Sequence, residues 1–486
     1  MKPNVSTSPT AQTTALAGVS LALGLLFDWL FYGKIPGISV VIYVVAIMGG
    51  LFALAAYLGR RLPAPALWLL LPLGFFAAMV AVRASHLLAL LNILASLALL
   101  LLVARLTFRD DLRRFNLADY AKIPFLPLKF LRPLTRTVAE FFALRSAVKN
   151  HPLAVQITRG VLLAIPVLIV FVTLFASADL VFQKYAIDAF NLKLNSTAVA
   201  QTLLVTFVTL AFTGAYSYIF RQPEDESPDA APATARLRLG KIEIAILLGA
   251  VNVLFFLFIL VQLAYLFGGL SNISGQGFTY AEYARKGFFE LLAVAMVAFG
   301  MLWAADKTVA KTTAGHSLAF RLLSSALITQ VILIMVSAFK RLYLYEQAYG
   351  FTTLRLYSHG FVIFLAVIFV LLLVKILRNQ AENHFAFPAF ITAIVFLAAL
   401  NVLNPDAFIA RQNLDRFHQT GKLDGVYFGG LSEDALPEVK TAIDVTTGDT
   451  KQQLIDSLAT RSEPSDWQSW NLARSRAGSI IDNYPE

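Results

Sequence analysis

The chain has 486 residues, 58% of them hydrophobic and only 14% charged, with a mean hydropathy of +0.68. That composition excludes an ordinary soluble domain and predicts a polytopic membrane protein, all-α because the apolar runs are continuous and not alternating. The absence of cysteine excludes disulfides, thiolate metal sites and thiol nucleophiles.

The net charge of +10 is unevenly divided: 32 Lys/Arg against 17 Asp/Glu up to Asn404, and 8 against 13 from Pro405 onward. A basic membrane domain (1–404) and an acidic tail (405–486) point to sidedness and not to nucleic-acid binding.

The polar start, Met1 to Thr13, carries Lys2 as its one base, and the apolar run behind it is too long for a cleaved leader, so it reads as an uncleaved first helix. About eleven spans are predicted, at 14–32, 38–58, 65–83, 86–107, 160–181, 199–220, 243–268, 287–305, 319–339, 357–376 and 386–404. The short joint from Arg83 to His86 predicts an antiparallel hairpin of the third and fourth spans. With the N-terminus inside, inner segments hold 23 basic residues and outer loops 9. The positive-inside rule then places the N-terminus in the cytoplasm and, with an odd number of spans, the tail outside, in a bacterial inner membrane.

The basic inner loop 107–160 interleaves Arg109, Arg113, Arg114, Lys122, Lys129, Arg132, Arg136, Arg145 and Lys149 with Phe and Leu. It reads as an anchor lying on anionic headgroups, each base near the surface contributing ~1 kcal/mol, or as a docking site for a cytoplasmic protein partner. The segment 221–242, rich in Pro, Ala and acids, reads as a disordered linker that separates two halves of the membrane domain, with no convincing internal repeat.

In the tail, Thr450 with Gln453 and Ser465 with Gln468 read as capping boxes. Trp467, Trp470, Ala473, Ala477 and Ile480 fall on one helical face that must bury against the tail or the bundle. A tail of ~80 residues with little apolar surface is not expected to be an independent enzyme domain.

Ionisable side chains in a membrane are functional by default. The topology collects Asp28, Asp179, Glu282, Glu290 and Glu346 with Arg83, Arg285, Lys286, Lys340, Arg341 and Arg355 at the outer interface. Of these, Glu282, Arg285, Glu290, Arg341, Glu346 and Arg355 form the candidate outer-face binding cluster, suited to an anionic headgroup or to acid–base chemistry. The plainer readings are a helix cap for Glu282, which pairs with Thr279, and an aromatic belt for Tyr280, Tyr283, Tyr343, Tyr345, Tyr349 and Tyr357. The deep polar residues Asn92, Asn252, Gln262 and Gln330 are neutral and read as interhelical hydrogen-bonders. No midplane carboxylate is expected, which weighs against an ion-coupled transporter. The six His show no ligand spacing, so no metal is expected, and Gly268 to Gly277 reads as a flexible loop and not a phosphate cradle.

Five stretches carry a family resemblance: "TYAEYARKGFFELL" from Thr279, "KRLYLYEQAYGFTTLRLY" from Lys340, "NPDAFIARQNLDR" from Asn404, "LDGVYFGGLSEDALP" from Leu423 and "DWQSWNLARSRA" from Asp466. Together they resemble the bacterial integral membrane family called domain of unknown function 4173, close to the 4153 group. The likeness covers Gly240 to Glu486 well and the N-terminal half by hydropathy alone. It implies a multi-pass membrane protein and transfers no catalytic residue. It adds weight to the outer-face residues and ties the tail to the same domain.

Three functions remain open. The first is an inner-membrane protein, more a binder than an enzyme, holding a lipid headgroup, envelope component or partner protein at its outer face or tail. The second is a transporter or permease with a hydrated path past Asn252 and Gln330. The third is a transferase at the outer leaflet, with Glu282 or Glu346 as base. No cofactor and no nucleic-acid partner is implied; membrane lipids are the expected surroundings. A deep open cavity would favour transport, a lateral groove with converging carboxylates a transferase, and a filled bundle binding or structure.

Overall fold

The computed structural model describes residues 9–60, 64–106, 111–145, 196–221, 241–267, 288–308, 318–461 and 466–481. Among these, nine helices are long and apolar enough to cross a membrane. They are α1 (Pro9–Phe31), α2 (Ile38–Tyr57), α5 (His86–Leu106), α8 (Ser196–Phe220), α9 (Lys241–Phe267), α10 (Phe288–Thr308), α11 (Leu318–Tyr349), α12 (Thr353–Leu377) and α13 (Asn383–Leu403). The predicted third span is instead broken at Trp68–Leu69 into α3 (Ala64–Leu67) and α4 (Leu70–Val82). The 13 residues of α4 rise only ~20 Å at 1.5 Å per residue, short of the ~30 Å of hydrocarbon. The predicted span 160–181 lies outside the described residues.

At one end Gln201 Nε2 donates to Asp28 Oδ2 (3.3 Å), and at the other Arg221 donates to Thr13 Oγ1 (2.6 Å), so α1 and α8 run antiparallel. They touch closely because Gly24 has no side chain: a Cβ there would stand 2.2 Å from Thr209 Oγ1. The turns near residues 32–37, 83–85, 350–352 and 404 all lie at the end that carries the tail, called here the tail end.

Burial divides the bundle in two. One apolar core joins α1, α2, α4, α5 and α8, around Leu30, Leu51, Phe76, Leu102 and Phe220. The other joins α9 to α12, around Leu248, Leu302, Ile328, Val331 and Phe369. The break between them coincides with the linker 221–242, most of which lies outside the described residues. Helix α13 bridges the two cores: Phe387, Phe390, Ile394 and Leu397 pack on the first, Phe385 and Ala389 on the second. In the seam Asn92 and Asn401 exchange two amide hydrogen bonds, both 2.8 Å, with both residues fully buried. Opposite the tail, Glu382 accepts from Leu117 N and from Trp303 Nε1 and lies 3.4 Å from Lys307, pinning the turn before α6 (Leu117–Ala121) to the second half. Nearby, Asp306 and Lys375 form a buried ion pair.

Part of the basic loop is α7 (Leu126–Arg145). Its buried residues face α8, where Thr137 and Ser217 hydroxyls meet at 2.8 Å, and Glu140 pairs with Arg221.

The tail is helical, with α14 (Pro405–Thr420), α15 (Gly425–Gly429), α16 (Leu436–Val445), α17 (Gly448–Ala459) and α18 (Leu472–Ile481) around a core of Ile409, Phe428, Leu436, Val439, Leu454 and Leu458. Two expectations need correction. Helix α17 begins at Gly448 after Thr447, so Thr450 and Gln453 lie inside it and form no box. The residues after Asp466 make one 3₁₀ turn, and α18 starts only at Leu472, capped by Asn471, whose Oδ1 accepts from Ala473 N and Arg474 N. The helical face therefore breaks: Ala473 and Ala477 are buried, whereas Trp467 and Trp470 are about half exposed. Trp467 rests against Trp29 (ring centroids 5.4 Å) at the border with the bundle, where the amphipathic indole suits a membrane interface.

Candidate functional site

The tail is fastened to three turns of the bundle, and each fastening uses helix termini whose N–H or C=O groups need partners. Ile38 N donates to Trp470 O (2.9 Å), and Ile35 N to Ser469 Oγ (3.1 Å). Asn471 Nδ2 donates to the terminal carbonyls of Val80 and Arg83, both at 2.9 Å, capping α4. Asp434 Oδ2 accepts from Ala84 N (2.6 Å) and Ser85 N (3.1 Å) at the start of α5, and its other oxygen lies 3.6 Å from Arg83. Burial raises the pKa of Asp434 above the ordinary 3.8, opposed by the Ala84 N–H, Arg83 and the Ser85 N–H.

The third turn joins α11 and α12. Helix α11 has 32 residues, ~48 Å at 1.5 Å per residue, so its last turns stand beyond the hydrocarbon. It ends at Gly350, in the left-handed region (φ 81°), where a Cβ would stand 2.7 Å from Asn413 Oδ1. That side chain clamps the turn, accepting from Phe351 N (2.8 Å) and donating to Phe351 O (2.9 Å). Tyr427 accepts from Thr353 N at 2.7 Å.

Between the second and third fastenings lies a polar crevice of about 940 Å³, lined by Ser85, His86, Thr353, Asp406, Tyr427, Glu433, Asp456 and Arg461. The local sequence explains Asp406. Helix α13 stops at Asn404 in a left-handed conformation (φ 55°), a geometry Asn tolerates, and Pro405 restarts a helix at once. Asp406 falls in the first turn of α14, where the helix dipole favours a carboxylate. Its Oδ2 accepts from Ser432 N (3.3 Å); its Oδ1 is buried with no hydrogen-bond partner among the described residues.

The guanidinium of Arg461 forms one wall and is spent on backbone, donating to Gly429 O (2.6 Å) and Leu431 O (2.5 Å), with Glu433 at 3.8 Å. Burial lowers the Arg461 pKa, partly opposed by Glu433, yet an arginine this basic stays charged. With Asp406, Glu433 and Asp456 against one committed arginine, the crevice favours a ligand rich in hydrogen-bond donors.

The expected cluster is distributed differently. Glu282 and Arg285 lie outside the described residues. Glu290 is exposed in the first turn of α10. Arg341 is buried and donates to Gln262 Oε1 (2.6 Å). Glu346 is buried against His359 Nδ1 (3.1 Å). Arg355 covers the Tyr345 ring (4.2 Å) and donates to Gly350 O (2.5 Å). The last three share the tail end of α11 and α12, each with its own partner, and none lines the crevice. Of the expected belt, Tyr343 and Tyr349 are exposed, whereas the Tyr357 hydroxyl is buried. Asn92, Asn252 and Gln262 make interhelical bonds, Asn252 to Leu323 O (3.0 Å); Gln330 Oε1 is buried with no partner among the described residues. No group of three metal-ligating side chains occurs among the described residues.

Residue-by-residue reading missed Asp406, Asp434 and Arg461. For the two aspartates the signal was nonetheless present. Asp406 lies in "NPDAF", and the crevice residues 426, 427 and 429–433 lie, with Asp434, in "GVYFGGLSED", both within the stretches that carry the family resemblance.

Fold and site together define a multi-pass helical membrane protein whose tail is docked on one end of the bundle. The chain matches the family described as Domain of unknown function (DUF4153) over residues 70–442, and it belongs to that family. The family shown is thus the neighbouring 4153 group, and its match reaches back to α4, further than the stretches compared above. No curated protein and no solved structure matches the chain.

Proposed function

We propose that this protein is a binding protein of the bacterial inner membrane, with its tail end outward as the charge bias favours, and that the crevice holds the headgroup of a membrane lipid or lipid-linked envelope molecule. The observation that carries this reading is the Asp406 carboxylate, which lines the crevice and keeps one buried oxygen without a hydrogen-bond partner among the described residues. Helix α5 begins at the crevice with His86, and Leu87, Leu90, Leu94 and Leu97 run down its exposed face. A lipid lying along this ridge brings its headgroup to Ser85, Asp406 and Tyr427. The carboxylates select an ammonium or a cluster of sugar hydroxyls, each charge-assisted bond worth ~1.5–3 kcal/mol. The permease reading has weaker support, since the deep cavity in the first half-bundle is walled almost wholly by apolar side chains.

The test is lipid analysis of the full chain purified in native-membrane nanodiscs. Asp406→Asn is isosteric and is expected to reduce the co-purifying ligand by about tenfold or more, from the charge-assisted bond it removes, with thermal stability retained. Undiminished retention in this variant would sink the proposal.

A further inference from the structure

The turn that brings the tail onto α1 and α2 is built inside out. Between Trp467 and Asn471 the polar side chains are buried, Gln468, Ser469 and Asn471 being 5%, 2% and 1% exposed, whereas Trp467 and Trp470 are 51% and 45% exposed. A turn facing water has the opposite arrangement, with amides and hydroxyls hydrated and indoles covered. Here the polar half is spent on the bundle. Gln468 Nε2 donates to Trp29 O (3.5 Å), Ser469 Oγ accepts from Ile35 N, and Asn471 caps α4. The backbone also lies close, since a Cβ on Gly37 would stand 2.4 Å from Trp470 O. The indoles are thereby held outward.

The surface they join faces lipid. Leu21, Leu25 and Trp29 are exposed at four-residue spacing, one apolar stripe along the membrane helix α1. The ring of Trp467 rests on Trp29, and the exposed Ile35 stands beside Ser469. The stripe thus continues from the bundle onto the tail. Its depth agrees. From Thr13, bonded to Arg221 and Glu140 at the opposite end, α1 rises ~24 Å to Trp29 at 1.5 Å per residue, against ~30 Å of hydrocarbon. Trp29 therefore stands at the hydrocarbon border, and the turn resting on it lies in the interfacial layer. Lys34 donates to Trp29 O and Arg474 to Ser469 O, and cations beside interfacial indoles suit the phosphate level. We infer that this turn is a membrane anchor of the tail, with Trp467 and Trp470 in the headgroup–acyl boundary of the surrounding bilayer. It is separate from the crevice and needs no ligand there.

The experiment is tryptophan fluorescence of the full chain in nanodiscs of phosphatidylcholine brominated either near the top or near the end of the acyl chain. W29F/W68F/W303F keeps the two tail indoles as its tryptophans. Its emission should be lost most strongly with bromines near the chain top. In the complementary W467F/W470F, which spares the bundle indoles, that part of the wild-type loss should disappear. No loss with either lipid would overturn the inference, whether aqueous iodide then quenches, as for a water-facing turn, or does not, as for a face covered by a second copy or a partner protein. Greatest loss with bromines at the chain end would overturn it as well, by placing the indoles in the hydrocarbon.

Discussion

Replacing Asp434 with alanine tests how the tail is held. The Asp434 carboxylate is the acceptor for two N–H groups, of Ala84 and Ser85, and both residues are at least 96% buried. Alanine leaves both donors unpaired and strips Arg83 of its counter-charge. One buried orphan donor costs ~1–3 kcal/mol, so the pair weakens docking by ~2–4 kcal/mol once relaxation is allowed. Asp434→Asn keeps an oxygen in the accepting position and should cost ~1 kcal/mol or less. Hydrogen–deuterium exchange in nanodiscs reads the difference: amides of α15 and α16 should exchange about 30-fold faster or more in the alanine variant and little faster in the asparagine variant. Unchanged protection in Asp434→Ala would refute the reasoning.

The pH dependence has a defined sign. Burial holds the folded-state pKa of Asp434 above its ordinary 3.8. The docked state thus takes up the proton first as pH falls. The stabilising contribution is complete below the ordinary value and is lost as pH rises through the raised one. Wild-type protection of the tail should increase on mild acidification through that interval, and Asp434→Asn should remove this residue's share of the increase.

Two further outcomes follow from the membrane bundle. Lys375→Met takes the buried ammonium away from Asp306 and should destabilise by up to ~3–5 kcal/mol, whereas D306L/K375M should recover part of the loss; thermal unfolding in detergent measures both, and no recovery in the double variant would count against the pairing. Asn401→Leu removes both bonds to Asn92 and should cost ~1–2 kcal/mol. A double-mutant cycle with Asn92→Leu should show coupling of ~0.6 kcal/mol or more, and strict additivity would deny the bond across the seam.

Much of the bundle was legible because the bilayer demands it. Apolar runs near twenty residues with satisfied backbones have one outcome, so α1, α2, α5 and α8 to α13 appear close to where hydropathy predicts them. The tail's helices were less readable. A capping box names a pair of residues, yet Thr450 and Gln453 are overridden because α17 takes Thr447 as its N-cap, three residues earlier, and helical periodicity across Trp467 to Ile480 is broken by the docking of Ser469, Trp470 and Asn471 on α2 and α4. The outer-face cluster was chosen by depth alone. Depth brings Arg341, Glu346 and Arg355 to one end of the bundle but says nothing of their partners, which come from Gln262, His359 and Tyr345.

Composition and hydropathic period by themselves determined that this chain is a polytopic helical membrane protein with an acidic helical tail, because solvation in hydrocarbon is a property of each segment taken alone. Only the tertiary structure decided that Asp434 and Asn471 cap bundle helices from 349 to 391 residues away in sequence, and that Asp406 lines a crevice with one buried oxygen unpartnered among the described residues. Such pairings depend on where helix ends meet, and no local pattern of residues encodes that meeting.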